Sequence, residues 1–105
     1  LFVSIHCNAA ENRKAKGTEV FHLAGSEKGY ALANALLFEL VKLGLLNRGV
    51  KRADFFVLKY TNMPAVLVEV GFISNPDEEV MLADVAFQEL VAQALANGIV
   101  KYVGG

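Results

Sequence analysis

The chain has 105 residues, enough for one domain or a piece of one, and 10 basic against 11 acidic side chains leave a formal net charge of −1. That balance offers no basic excess for nucleic acid or an anionic membrane surface, and no apolar run is as long as a membrane span. Hydrophobic residues make up 54%, which favours strands covered on both faces, as in α/β folds. The lone Cys7 rules out an internal disulfide and leaves the compartment open. The first residue is Leu1, not Met, and it opens directly on an apolar run, so the N-terminus reads as a truncation or processing site.

Leu1–Ile5 is rich in strand formers and is closed by His6-Cys7-Asn8. Residues 9–17 are polar and read as a loop. Thr18–Leu23 alternates like a second strand, and Ser26 then suits a helix N-cap. From Glu27 to Leu43 the apolar spacing is helical, with Leu32, Leu36 and Leu40 recurring every four residues and Gly44 as a stop. Residues 45–54 carry the basic stretch Arg48 to Arg52 and read as a loop. Phe55–Leu58 reads as a short third strand. Ala65–Val70 is apolar except for Glu69, the pattern of a central buried strand. Asn75-Pro76-Asp77-Glu78 looks like a helix start, with Asn75 as cap and Glu78 reaching back as in a capping box. A short helix to Leu82 is followed by a longer one, capped by Asp84 and running to about Tyr102. Its apolar stripe is Phe87, Leu90, Val91, Ala94, Leu95 and Ile99. The order predicts an α/β domain: a mostly parallel or mixed twisted sheet flanked by helices. The short link between the first two strands favours some antiparallel pairing.

Two residues stand out for chemistry. His6 falls where the first strand runs out, and ligands gather outside the carboxyl ends of strands in open α/β sheets. An imidazole there can hold a metal through one nitrogen, or simply bond a backbone carbonyl. Glu69 lies among Val66, Leu67, Val68 and Val70, where an unpaired carboxylate costs several kcal/mol. Burial of that kind raises a carboxyl pKa and suits a general acid or base. The structural alternatives are an ion pair with Arg48, Lys51 or Lys59, or an outward-facing edge strand. Cys7 is expected to be a small buried side chain, and as a strand neighbour of His6 it points away from it. His22 is expected to have a structural or surface role. The basic stretch Arg48 to Arg52 reads as a solvated loop or as the lining of a site for an anionic substrate.

Three segments together resemble the N-acetylmuramoyl-L-alanine amidases. Ser4-Ile5-His6-Cys7-Asn8-Ala9 is similar to that family's S-I-H-A-N-A element, and Arg48-Gly49-Val50-Lys51 to its R-G-V-K loop. Residues 63–75, Met-Pro-Ala-Val-Leu-Val-Glu-Val-Gly-Phe-Ile-Ser-Asn, resemble its M-P-A-V-L-V-E-x-G-F-I-S-N segment. The resemblance implies Zn2+ held by two histidines and one glutamate, with His6 as the last histidine and Glu69 as the catalytic acid/base. The other two ligands precede the S-I-H element in the family. Residues 1–105 are therefore expected to be the C-terminal portion of one catalytic domain, with its N-terminal part absent and no complete metal site. The implied partner is peptidoglycan, in a cell-wall, periplasmic or extracellular setting or as the target of a phage-encoded lysin, with no nucleic acid and no membrane span. The family's regulatory helix, inserted after the second strand in some members, has no room between Leu23 and Ser26. Two other readings stay open: a catalytically incomplete or wall-binding piece, and another zinc amidohydrolase acting on peptides or N-acyl amino acids.

Overall fold

The structure is a computed structural model and describes residues 1–105. Its elements run β1 (Phe2–Asn8), β2 (Thr18–His22), α1 (Glu27–Val41), β3 (Asn47–Arg52), α2 (Phe56–Lys59), β4 (Ala65–Phe72), α3 (Pro76–Ala83) and α4 (Val85–Gly104). The strands form one mixed sheet in the order β1-β4-β2-β3. β1 and β4 are parallel, β2 and β3 are parallel, and β2 meets β4 antiparallel. The expected mixed α/β sheet is therefore present. β2 does run against β1, but β4 lies between them.

α1 and α4 cover one face of the sheet. Leu32, Ala33, Leu36, Leu37 and Leu40 of α1 meet Phe87, Val91, Ala94 and Leu95 of α4 over Val20, Val66, Val68 and Val70. Gly98 permits the close helix approach, because a Cβ there would lie 2.8 Å from Leu36 Cδ2 and 3.0 Å from the Ala35 carbonyl oxygen. Leu90, expected in the stripe, is exposed. The opposite face has a smaller cluster of Leu58, Ala65 and Leu67 with Phe21 and Leu23. The rest of that face is polar.

Caps follow the sequence at two helices. Ser26 Oγ accepts from Gly29 N at 3.0 Å, and Asn75 Oδ1 accepts from Asp77 N and Glu78 N at 3.0 and 3.1 Å. Asp84 precedes α4 but makes no side-chain cap bond. Glu78 does not close a capping box either. Its carboxylate turns inward and accepts from Gly17 N and Phe72 N, tying the start of β2 to the end of β4.

Three further expectations need correction. Residues 45–54 are not all loop, since Asn47–Arg52 forms edge strand β3. Its charged residues hide the strand pattern, and pairing with β2 holds it in place. Phe55–Leu58 is not a strand. Residues Phe56–Lys59 make a single helical turn that buries Leu58 alone. A four-residue apolar run has no period long enough to separate the two forms. Cys7 is exposed, not buried, because β1 is an edge strand whose Ile5 and Cys7 line an open apolar groove with Val70, Phe87 and Val91.

Both parallel pairings contain an irregular step. His6 to Asn8 of β1 runs beside Glu69 to Phe72 of β4, so β4 carries one extra residue just after Glu69. Thr18 to Val20 of β2 runs beside Asn47 to Val50 of β3, where Gly49 has φ +93°. A Cβ at Gly49 would meet nothing within 4 Å, so only the backbone demands glycine there. Gly49→Ala should cost about 1–2 kcal/mol of stability in denaturant unfolding, from left-handed backbone strain alone.

α1 and α4 are also joined by charge. The nearly buried Glu39 carboxylate takes Lys42 Nζ and Lys101 Nζ, each at 2.9 Å. The hydrogen bond from Lys101 and then that from Lys42 hold its carboxyl below the usual range. A depressed folded pKa means stability that is present above the unfolded value and lost as pH falls through the folded one. Thermal melts of the native chain and Glu39→Gln should therefore differ at neutral pH and converge below about pH 4.3.

Candidate active site

The polar face gathers the charged residues of three neighbouring strands. Pairing places His6 of β1 beside Glu69 of β4, and Glu19 of β2 on the other side of Glu69. More than sixty residues of chain separate His6 from Glu69, yet they are next neighbours in the sheet because β4 inserts beside β1. His6 lies near the carboxyl end of β1, and Ser4, two residues back on the same face, holds its Nε2 at 2.6 Å from Oγ. The other ring nitrogen has no such partner among the side chains of the face.

Glu69 is half-buried, and its Oε2 is buried with no hydrogen-bond partner. Desolvation pushes its carboxyl above the usual range; the neighbouring His6 pulls it down and Glu19 pushes it up. Neither structural alternative for this residue holds. β4 is an inner strand, and the basic residues are engaged elsewhere: Arg48 and Lys51 with Glu19, Lys59 with Asp54. Glu69 is thus a carboxyl in a partly dry setting, without a lysine or arginine to neutralise it.

Glu19 is the residue that sequence reasoning passed over. It is 3% exposed and accepts from Lys51 Nζ at 2.7 Å, Asn8 Nδ2 at 2.9 Å and Arg48 Nε at 3.1 Å. Its strand alternates, so the charge reads as solvent-facing in sequence, and only the strand order puts β2 inside the sheet. Asn8 also anchors the turn after β1, where its carbonyl accepts from Ile73 N at 2.8 Å. His22 is buried, donates from Nδ1 to the Leu23 carbonyl oxygen at 2.9 Å and packs edge-on against Tyr30, so of its two expected settings it takes the structural one. Cys7 makes no pair with His6 on this face.

These residues fit part of a metal site. His6 has an available ring nitrogen, and the unpartnered Glu69 Oε2 is the kind of buried acceptor that a proton or cation satisfies. No group of three His, Cys, Asp or Glu side chains in the chain could hold a metal ion by itself. No helix is long and apolar enough to cross a membrane.

The family model described as N-acetylmuramoyl-L-alanine amidase matches residues 1–101. "Probable cell wall amidase LytH" of Staphylococcus saprophyticus is 39% identical over 102 residues, covering 96% of this chain and 34% of that protein. The catalytic domain of CwlV, an N-acetylmuramoyl-L-alanine amidase from Bacillus (Paenibacillus) polymyxa var. colistinus, superposes with a TM-score of 0.91 at 40% identity, covering 98% of this chain and 57% of that one. The CwlD amidase of Clostridioides difficile, solved with the GerS lipoprotein, gives a TM-score of 0.94 at 39% identity, over 98% of this chain and 54% of that one. The chain thus spans about a third of the curated relative's length and little more than half of each solved chain. A match over nearly every residue, in sequence and in backbone, means that this chain belongs to the N-acetylmuramoyl-L-alanine amidase family.

Proposed function

We propose that the protein hydrolyses the amide bond between N-acetylmuramic acid and L-alanine in peptidoglycan, with Glu69 as its acid/base and His6 as one zinc ligand. The observation that carries this reading is the pairing of His6 with a half-buried, unneutralised Glu69 on the open face of a family-matched sheet. The chain is the C-terminal portion of a single catalytic domain, and the remaining zinc donors come from outside residues 1–105. Relatives that are longer than this chain have room for them. The setting is the cell wall or its extracellular face.

When bound, zinc supplies Lewis-acid polarisation of a carbonyl and a lowered pKa for water. His6 contributes one imidazole nitrogen, and Ser4 fixes the ring through the other, which sets both tautomer and orientation. Glu69 does the proton work. A carboxyl held above its usual pKa by a dry setting is a better match to neutral-pH proton transfer than a solvated one. It takes a proton from the attacking water and delivers one to the departing amine of L-alanine.

Two measurements test this. The intact protein should release stem peptides with a free L-alanine amino end from purified peptidoglycan; new reducing sugar ends, or no cleavage at all, would overturn the activity. Metal analysis of intact His6→Ala should show zinc well below one equivalent while the circular dichroism spectrum is retained. Full zinc occupancy in that variant would remove His6 from the ligand set.

A further inference from the structure

The basic edge beside Glu69 is more elaborate than burial of Glu19 requires. The Glu19 side chain is 4% exposed, and one cation would compensate its charge. Two are supplied, Arg48 and Lys51, along with the Asn8 amide. The triad of Glu19, Arg48 and Lys51 therefore carries one surplus positive charge. Its presence on this face has a specific backbone cause. Residues three apart on a regular strand point to opposite sides. The extra residue at Arg48-Gly49, with Gly49 at φ +93°, lets Arg48 and Lys51 reach the same carboxylate.

Both cations keep donors to spare. Arg48 gives Nε to Glu19 and Nη1 to the Lys16 carbonyl oxygen at 3.3 Å, and its guanidinium lies 4.9 Å from the Phe72 ring centroid. Lys51 gives one N–H to Glu19 at 2.7 Å. A guanidinium has five donors and an ammonium three, so each retains at least two. Their side chains are 32% and 39% exposed, open to solvent yet pinned by Glu19. A pair of cations held in this way binds a carboxylate better than a free surface lysine does, because less side-chain freedom is lost.

Position gives the ligand. β3 lies two strand spacings from β4, about 10 Å. An extended peptide advances about 3.3 Å per residue, so a stem peptide that crosses the sheet from Glu69 toward β3 would bring its second or third residue over Arg48 and Lys51. In peptidoglycan stems the second residue is a γ-linked D-glutamate with a free α-carboxylate or its amide. The third is a diamino acid, with or without a further carboxylate. We propose that Arg48 and Lys51, held by Glu19, form a subsite for a free carboxylate on the stem peptide. The inference rests on the amidase reading above, and it gives Glu19 a positioning role.

The test is binding of free stem tripeptides to the intact protein, followed by nuclear magnetic resonance titration, which needs no turnover. The peptides are L-Ala-γ-D-Glu-L-Lys, its isoglutamine counterpart, and the matching pair with diaminopimelate in third place. Loss of the recognised carboxylate should weaken binding about five- to tenfold. A loss on amidation identifies the second residue as its source, and a loss on exchanging diaminopimelate for lysine identifies the third. Lys51→Met should abolish that preference while leaving the weaker peptide unchanged, and Lys51→Arg should restore it. Equal or absent binding of all four peptides, or an equal loss for all in Lys51→Met, overturns the subsite. Parallel hydrolysis of peptidoglycan separates the two claims: a carboxylate preference without release of L-alanine ends sinks the amidase reading alone. Cleavage without any preference sinks the subsite alone.

Discussion

Glu69→Gln in the intact protein is expected to lower peptidoglycan hydrolysis by about 10²- to 10⁴-fold, the range that a positioned acid/base contributes. The amide keeps the size and one carbonyl oxygen of the carboxyl but cannot accept and return a proton. Zinc content should be unchanged, because this residue is assigned to proton transfer and not to the ligand set. Stability should move the other way. The native carboxyl has its pKa raised, chiefly by desolvation, and Oε2 meets no donor. A raised folded pKa favours the protonated fold, so its stabilising contribution is complete below the unfolded value and fades as pH rises through the folded one. In the metal-free protein the variant should therefore melt above the native form at neutral pH. The difference should close near and below about pH 4.3. A variant that hydrolyses peptidoglycan at the native rate would remove Glu69 from the mechanism. One that loses activity and also melts lower would mean that the carboxylate is structural.

The reason Glu69 could be singled out at all lies in one local contrast. Five of the six residues from Ala65 to Val70 are apolar, so the acid stands alone in an inner strand. The helices α1, α3 and α4 were legible for a related reason: their periods run over two turns or more, and Ser26 and Asn75 mark their starts. β3 and α2 were not. Asn47–Arg52 has only Val50 to offer a hydrophobic pattern, and its strand is held by β2 and by the Glu19 pairs. Phe56–Lys59 is decided by Leu58 finding a place beside Ala65 and Leu67, a tertiary fact.

The site was half legible on the same terms. His6 and Glu69 could be named one at a time, but nothing local says that they are neighbours. That follows from the strand order β1-β4-β2-β3, which depends on where the chain crosses over. Glu19 was hidden by its own neighbours, since an alternating strand such as Thr18–Leu23 is expected to carry charge on a solvent face. Burial gave that face its charge network: the carboxylate beside Glu69 is paired with Arg48 and Lys51, and the bulge at Gly49 delivers both.

Glu78→Ala is expected to give the largest loss of stability of any single change at a buried polar side chain. Its carboxylate is 6% exposed and accepts from Gly17 N at 3.0 Å and from Phe72 N at 2.8 Å. Truncation leaves two buried N–H groups unpaired, at about 1–3 kcal/mol each, so about 2–6 kcal/mol in all. For a chain of this size that is a fall in Tm on the order of 10–30 °C. Glu78→Gln keeps one acceptor oxygen and should lose roughly half as much. The position of these two N–H groups gives the change a second consequence. Gly17 lies two residues before Glu19, and Phe72 lies three after Glu69, at the far end of the extra residue in β4. Glu78 thus clamps the two strand ends from which both acids of the site project. Glu78→Gln, assayed well below its melting temperature, should reduce hydrolysis more than its folded fraction accounts for. Activity that simply follows the folded fraction would restrict Glu78 to stability. A Tm within 2 °C of the native value for Glu78→Ala would show that the clamp is not needed even for that.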